Sequence, residues 1–309
     1  MKVKVSAPSR LHLGILSPAT VEGRSFGSLG LAIDKPRTEV LAEPSPSVKV
    51  EGVRADDARR FAEKVASALG LEGFKLLVKS AAPVHVGLGS TTQLALAVSA
   101  ALAKLRGAAL DPLEASRLLG RGARSGIGTY AFKAGGFIVD GGRGPHTVFP
   151  PLIARYDFPE DWAFLVVIPK GRGLHGGAEA EAFRALRPPS ELVFKACHLA
   201  LMKLIPSLLE HDLEGFAQSL TKLQETVGSM FSEAQGGVYN EASREALEVL
   251  KSLGLKGVGQ SSWGPTVYAV IELDRAPELL DDARSSLPKA DVFIARGDNV
   301  GAKVEVENE

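Results

Sequence analysis

Residues 83–93 read Pro-Val-His-Val-Gly-Leu-Gly-Ser-Thr-Thr-Gln, two glycines followed by three hydroxyls. Gly87 and Gly89 allow the backbone to turn tightly and approach a ligand, with Leu88 between them. Ser90 or Thr91, with Thr92 behind, can cap a following helix whose first N–H groups attract anions. The segment suits a phosphate. An ordinary capped turn uses the same letters, so this chemistry needs support elsewhere in the chain.

That support is cationic. Arg10 and His12 alternate with Leu11 and Leu13, so on a strand the two polar side chains share one face and could reach a phosphate or carboxylate. A half-exposed strand with a polar outer face is the plain alternative. Residues 169–177 place Lys170, Arg172 and His175 among four glycines, a second anion-receiving loop. Arg121 and Arg124 stand beside flexible glycines in Gly120-Arg-Gly-Ala-Arg-Ser-Gly-Ile-Gly-Thr-Tyr130, where the backbone could wrap a small anion or simply joint two helices.

These residues need positioning. An apolar run, residues 74–78, feeds the central loop as a strand, and residues 94–105 leave it with helical periodicity. Residues 3–16 alternate as one strand, or two broken near Pro8; residues 22–30 are glycine-rich and read as a long loop, followed by a strand at 38–43. Asp34 reads as a turn former before Pro36, with a ligand contact as the alternative. Amphipathic residues 55–69 are helical, with Asp56, Asp57, Arg59, Arg60 and Glu63 on a solvated face. Asp111 caps a helix opened by Pro112. The character shifts at Pro150-Pro151, dividing the chain into 1–150 and 151–309. Beyond it come a buried strand (162–168), helices at 190–210 and 213–227, a helix reaching Leu253, a strand–glycine turn–strand at 257–270, a charged helix (276–285) and a strand (291–295). His198 and His211 read as structural.

Composition removes several classes. With 309 residues, 45% of them hydrophobic, the chain buries a large core; 36 basic against 36 acidic side chains leave no global field for nucleic acid or an anionic membrane. The single cysteine, Cys197, excludes an intrachain disulfide and is expected in buried packing. No uninterrupted apolar run approaches 18 residues, so a cytoplasmic protein is expected. Walker and zincin motifs are absent, as is the acidic pair and Thr-Gly-Gly loop of ordinary phosphoribosyltransferases.

Three segments, Ala7-Pro-Ser-Arg-Leu-His12, residues 83–93 and residues 257–269, resemble the signature regions of the galactokinase, homoserine kinase, mevalonate kinase and phosphomevalonate kinase (GHMP) superfamily, in order and over nearly the whole chain. The resemblance implies an α+β, two-lobed fold: an N-terminal lobe like ribosomal protein S5 domain 2, a ferredoxin-like C-terminal lobe, and a cleft between them. In those kinases the central loop holds nucleotide phosphates. One departure stands out: where they carry a catalytic aspartate in Ser-Gly-x-Asp, this chain has Gly128.

The detailed wording resembles one branch, the β-ribofuranosylaminobenzene 5′-phosphate synthases of methanopterin biosynthesis. It is carried by residues 9–14, 87–95, 121–129, Gly173-Leu-His-Gly176 and Gln260-Ser-Ser-Trp-Gly-Pro265. The resemblance implies that phosphoribosyl pyrophosphate joins 4-aminobenzoate or 4-hydroxybenzoate with loss of carbon dioxide and pyrophosphate, a reaction needing charge stabilisation rather than a strong base. It implies Mg²⁺ and a homodimer. It places Arg10, His12 and Lys170 in catalysis. Residues 87–92, Arg121, Arg124, Ser125, Arg172, His175, Gln260, Ser261, Ser262 and Trp263 become phosphate- or substrate-binding, with no metal ligand assigned. Which cation meets which anion stays open. An ATP-dependent kinase and a non-catalytic ligand-binding protein are the competing readings.

Overall fold

The computed structural model describes residues 1–307. Its first sheet is organised by one long hairpin, β1 (Lys2–Val21) and β2 (Arg24–Pro44), in register from Val3 opposite Ala42 to Val21 opposite Arg24. The expected break near Pro8 is only a register shift between Ala7 and Ser9, and the expected loop at 22–30 is mostly strand. Glu22 (φ 47°) and Gly23 (φ 76°) make a two-residue turn with both φ positive, the handedness that matches strand twist. The glycines that suggested a loop serve packing instead. A Cβ on Gly30 would meet Ile127 Cγ2 at 2.2 Å and the Leu11 carbonyl oxygen at 2.8 Å. Asp34 likewise lies within β2 rather than in a turn, and its carboxylate accepts from the Arg296 N–H at 2.8 Å.

β3 (Val48–Gly52) pairs in parallel with β4 (Phe74–Ser80), and α1 (Ala55–Leu69) crosses between them, at the bounds its periodicity predicts. The central loop then opens α2 (Ser90–Arg106), followed by α3 (Pro112–Leu118), capped by Asp111 on the Leu113 N–H, and α4 (Ile127–Ala134). Helices α1 and α2 bury alanine- and leucine-rich faces against Val5, Val40, Leu76 and their neighbours, a core of small side chains that lets helix and sheet approach closely. β5 (Phe137–Asp140) pairs with β2, and β6 (Leu152–Tyr156) pairs with β5, so the first sheet continues past Pro150.

β7 (Trp162–Ile168), wholly buried, starts the second sheet. After it come α5 (Gly176–Ala185), α6 (Ser190–Leu199), a π-helical turn at Ala200–Leu204, α7 (Ile205–Leu209), α8 (Leu213–Gln235) and α9 (Glu241–Ser252). α8 runs two turns beyond the expected Val227 because Gly228 leaves room for the returning chain; a Cβ there would meet the Val238 carbonyl oxygen at 2.2 Å. β8 (Gly259–Gln260), β9 (Val267–Glu272), α10 (Ala276–Ser286) and β10 (Asp291–Arg296) complete the lobe, and β11 (Lys303–Glu307) returns to pair with β1. The second sheet has the order β10-β7-β9-β8, all antiparallel. In chain order that is fourth, first, third, second, the ferredoxin-like arrangement.

Ser190–Leu209 is long and apolar enough, by length and composition alone, to cross a membrane. In the fold, Val193, Ala196, Leu199, Leu204 and Leu208 pack into the core, while Phe194, Leu201, Met202 and Leu209 face outward. Cys197 lies on that outer side and is exposed, not buried as its apolar surroundings suggest.

Candidate active site

The three signature segments meet at the central loop through main-chain bonds. Arg10 N–H donates to the Leu88 carbonyl, Ser262 N–H to His12, Thr266 N–H to Val86 and Gly173 N–H to His85. Ser261, buried, donates its hydroxyl to the Gly87 carbonyl at 2.6 Å and accepts from the His12 N–H at 2.9 Å. The glycines are required where the chains touch: a Cβ on Gly87 would lie 2.2 Å from the Ser261 carbonyl oxygen.

Neither Ser90 nor Thr91 caps α2. The N-cap is Gly89 itself, left-handed at φ 73°, with no side-chain cap, so the positive end of a 17-residue helix stays open to an anion. Cations surround it. Arg10 donates to the Gly87 carbonyl, and its burial lowers its pKa to about 10, with Glu179 acting in the other direction. Arg54, which the sequence reading missed, donates to Thr91 Oγ1 at 3.3 Å while Asp57 holds its other edge at 2.9 and 3.0 Å; its buried Nη1 has no partner. The rings of His85 and His175 stack at 3.7 Å, and burial, then His175, Arg172 and Arg54, lower the His85 pKa. Arg172 thus belongs to this patch, and both it and Lys170 are exposed.

Two residues along the strand from Arg10, His12 faces a different environment. It borders a cavity with about 440 Å³ of empty space, mouth included, walled by Phe183, Phe231 and Trp263 with Ile15, Val227 and Val238. The three aromatic rings meet edge to face at 5.0, 5.4 and 5.6 Å. Gln224, Gln235, Tyr239 and Gln260 supply polar groups at its edge, and the buried Tyr239 hydroxyl is unpartnered. Gln260 is also an anchor, accepting from the Asn240 N–H at 2.7 Å and donating to the Ser262 carbonyl at 3.0 Å.

Arg124 does not stand free. Its Nη2 meets Glu179 Oε2 at 2.8 Å and its guanidinium lies 4.5 Å over the Phe183 ring, while Trp263 Nε1 donates to the other Glu179 oxygen at 3.2 Å. Arg121 lies near the same carboxylate, with Nε buried and unpartnered. Glu179, absent from the sequence reading, therefore fills the centre of the arginine cluster.

His12 is held by Ser125, in the loop before α4, and through it by Asp140 at the end of β5. Its Nε2 is 3.2 Å from Ser125 Oγ, which lies 3.1 Å from Oδ2 of buried Asp140. Asp140 also accepts from the N–H groups of Gly126 (2.8 Å) and Gly142 (2.9 Å). Burial raises its pKa to about 6 against the Gly142, Gly126 and Ser125 hydrogen bonds; Ser28 adds a weak contribution, although its hydroxyl forms no hydrogen bond. Burial, then Arg10, lowers the His12 pKa to about 3, so the imidazole is neutral at physiological pH. Asp140 was also missed, although an acid closing an apolar strand between two glycine pairs is visible in the sequence.

No carboxylate stands at position 128. Gly128 sits in the first turn of α4, its carbonyl accepting from Gln93 Nε2 at 2.8 Å, and a Cβ there would point at Thr92 Cγ2, 3.2 Å away. Comparison with known proteins fits this geometry. Residues 57–136 match the GHMP kinases N terminal domain and residues 204–289 the GHMP kinases C terminal domain. A beta-ribofuranosylphenol 5′-phosphate synthase of Archaeoglobus fulgidus is 33% identical over 98% of this chain and 100% of its own length; that of Methanothermobacter thermautotrophicus is 32% identical over 96% and 97%. The chain belongs to the beta-ribofuranosylphenol 5′-phosphate synthase family. This chain of the synthase family carries both GHMP domains. Mevalonate pyrophosphate decarboxylase from Streptococcus pyogenes superposes with a TM-score of 0.72 at 13% identity, covering 97% of this chain and 98% of its own. Methanococcus jannaschii mevalonate kinase gives 0.69 at 17%, covering 96% and 98%. The two-lobed α+β fold expected from the signature segments is therefore the observed one.

Proposed function

We propose that this chain joins phosphoribosyl pyrophosphate to 4-hydroxybenzoate, forming a C–C bond to the anomeric carbon with release of pyrophosphate and carbon dioxide. The relatives are named for a phenol product, which favours the hydroxy over the amino acid as acceptor. One observation carries the reading: an uncapped helix N-terminus ringed by cations and an aromatic-walled cavity open side by side, with Arg10 on the first and His12 on the second.

The diphosphate takes the α2 N-terminus, where the loop N–H groups and the Arg10, Arg54 and Arg172 side chains stabilise charge on the departing group. The ring takes the aromatic box. Much of that cavity's space is its open mouth, so the ring enters as surrounding side chains shift. The ring carbon bearing the carboxylate forms the bond to the anomeric carbon as the C–O bond to pyrophosphate breaks. The electron pair of the C–CO₂ bond then returns to the ring, carbon dioxide leaves and aromaticity is restored. No step removes a proton from an alcohol, which accords with glycine at 128.

Mg²⁺ belongs to the proposal only as a counter-ion that the diphosphate brings. Among the described residues no group of three or more histidine, cysteine or acidic side chains could hold a metal, so no resident cage fits it. We also place a homodimer and a cytoplasmic setting within the proposal; the outward Phe194, Leu201, Met202 and Leu209 offer a self-association face, tested by sedimentation of the parent against Leu201→Glu.

The deciding assay follows carbon dioxide from carboxyl-labelled 4-hydroxybenzoate, with and without phosphoribosyl pyrophosphate, beside ATP consumption with small alcohols. Release that depends on phosphoribosyl pyrophosphate supports the reading. ATP consumption alone overturns it in favour of a kinase.

A further inference from the structure

We infer that Asp140 is a positioning residue that acts through Ser125 to fix His12 in the tautomer protonated on Nε2, presenting Nδ1 to the hydroxyl of the aromatic substrate. This rests on the proposed acceptor.

The argument is one of donor and acceptor accounting. An ionised carboxylate only accepts. Asp140 Oδ1 takes the Gly142 N–H, and Oδ2 takes the Gly126 N–H and the Ser125 hydroxyl at 3.1 Å. Once the Ser125 hydrogen points at Asp140, the Ser125 oxygen has only lone pairs to offer its other neighbours. One is the Ile127 N–H at 3.3 Å, a donor; the other is His12 Nε2 at 3.2 Å, which must therefore carry its proton. At neutral pH, above the value of about 6 to which burial raises it, Asp140 is ionised and this direction holds.

The other nitrogen, Nδ1, is then unprotonated. It makes no hydrogen bond among the described residues, and His12 borders the aromatic cavity. As the ring carbon attacks, electron density leaves the para hydroxyl oxygen and its hydrogen becomes more acidic. A hydrogen bond from that hydroxyl to Nδ1 strengthens toward the transition state, so it raises kcat more than it lowers KM. The buried, neutral imidazole serves as an acceptor, and no proton transfer to it is required.

The test reads tautomer and turnover separately. Long-range proton–nitrogen spectra of the full-length protein at pH 7.5, with His12 assigned by loss of its signals in His12→Gln, should show the Nε2–H form in the parent. Asp140→Asn, whose amide can donate to Ser125 and reverse the chain, should shift His12 toward Nδ1–H and lower kcat roughly 10²-fold with KM within about twofold. Ser125→Ala should lower kcat comparably, and Asp140→Asn should add nothing in its presence, since both break one wire. An Nδ1–H tautomer in the parent, additive losses, or kcat unchanged in either variant overturns the inference. Should Asp140→Asn fail to fold, the parent spectrum and Ser125→Ala still decide it. Absence of turnover in the parent would refute the proposed reaction, while the tautomer remains readable without substrate.

Discussion

The Arg10 guanidinium donates to the carbonyl of Gly87, and its side chain occupies the space a Cβ on Gly89 would need, 3.0 Å from Arg10 Cγ. Loop and arginine shape one another: glycine at 89 makes room for Arg10, and Arg10 ties down the carbonyl two residues earlier.

Arg10→Lys should therefore fail to restore what Arg10→Ala loses. An ammonium lacks the planar fork that bonds Gly87 while presenting a second edge to an anion. The expected loss is about tenfold or more in kcat/KM for phosphoribosyl pyrophosphate, with the melting temperature within a few degrees of the parent. Unchanged catalytic efficiency would return Arg10 to a purely structural role.

Gly89→Ala tests the loop from its other side. The φ of 73° is strained for alanine, and the added methyl pushes on Arg10. Calorimetry should show phosphoribosyl pyrophosphate affinity reduced at least tenfold, while circular dichroism stays native. Affinity equal to the parent would mean that the diphosphate binds elsewhere.

Gly128→Asp places a carboxylate where the kinases keep theirs. Gly128 is not among the residues with positive φ, so the backbone accepts a side chain, which would point at Thr92 and the first turn of α2. Its negative charge competes with the diphosphate for that helix end. Synthase efficiency should fall roughly tenfold or more, about 1.4 kcal/mol per decade, and no phosphorylation of alcohols by ATP should appear. Retained synthase activity would show that position 128 lies away from the reacting groups.

Asp140 and His12 impose opposite pH dependences on stability. The Asp140 pKa is raised in the fold to about 6, so its contribution is present below the unfolded value near 4 and is lost as pH rises through 6. The His12 pKa is depressed to about 3, so its contribution is present above about 6.5 and is lost as pH falls toward 3. Between pH 4 and 6 the two nearly cancel. Asp140→Asn removes the first, so relative to the parent the variant should lose about 2 kcal/mol between pH 7 and pH 4 in urea titrations. His12→Gln should shift the other way. Parallel pH profiles for parent and both variants would contradict these environments.

Periodicity made α1 and β7 readable to the residue, because local sequence decides them, and it found the helix after the central loop but not its start, which a left-handed Gly89 sets in place of a hydroxyl cap. The hairpin tip was misread because glycine signals freedom locally, whereas Gly30 is demanded by Ile127, a neighbour nearly a hundred residues away. In the site, the loop, Arg10, His12 and Ser125 stood out by type and spacing. Arg54, Asp140 and Glu179 did not, since an arginine after a strand or an acid on a helix looks like solvated charge until the partner it meets is known. Gln260 and Ser261 sit at the site largely as struts for neighbouring backbone.

The first sheet borrows two of its strands from later in the chain: β6 covers β5, and β11 covers β1. A fragment ending at residue 150 would leave both of those backbones with unpaired N–H and C=O groups along exposed edges, ready to join a second copy edge to edge. The phosphate loop therefore cannot be excised as a small soluble module. Making it one would require new strands, or edge lysines, in place of β6 and β11.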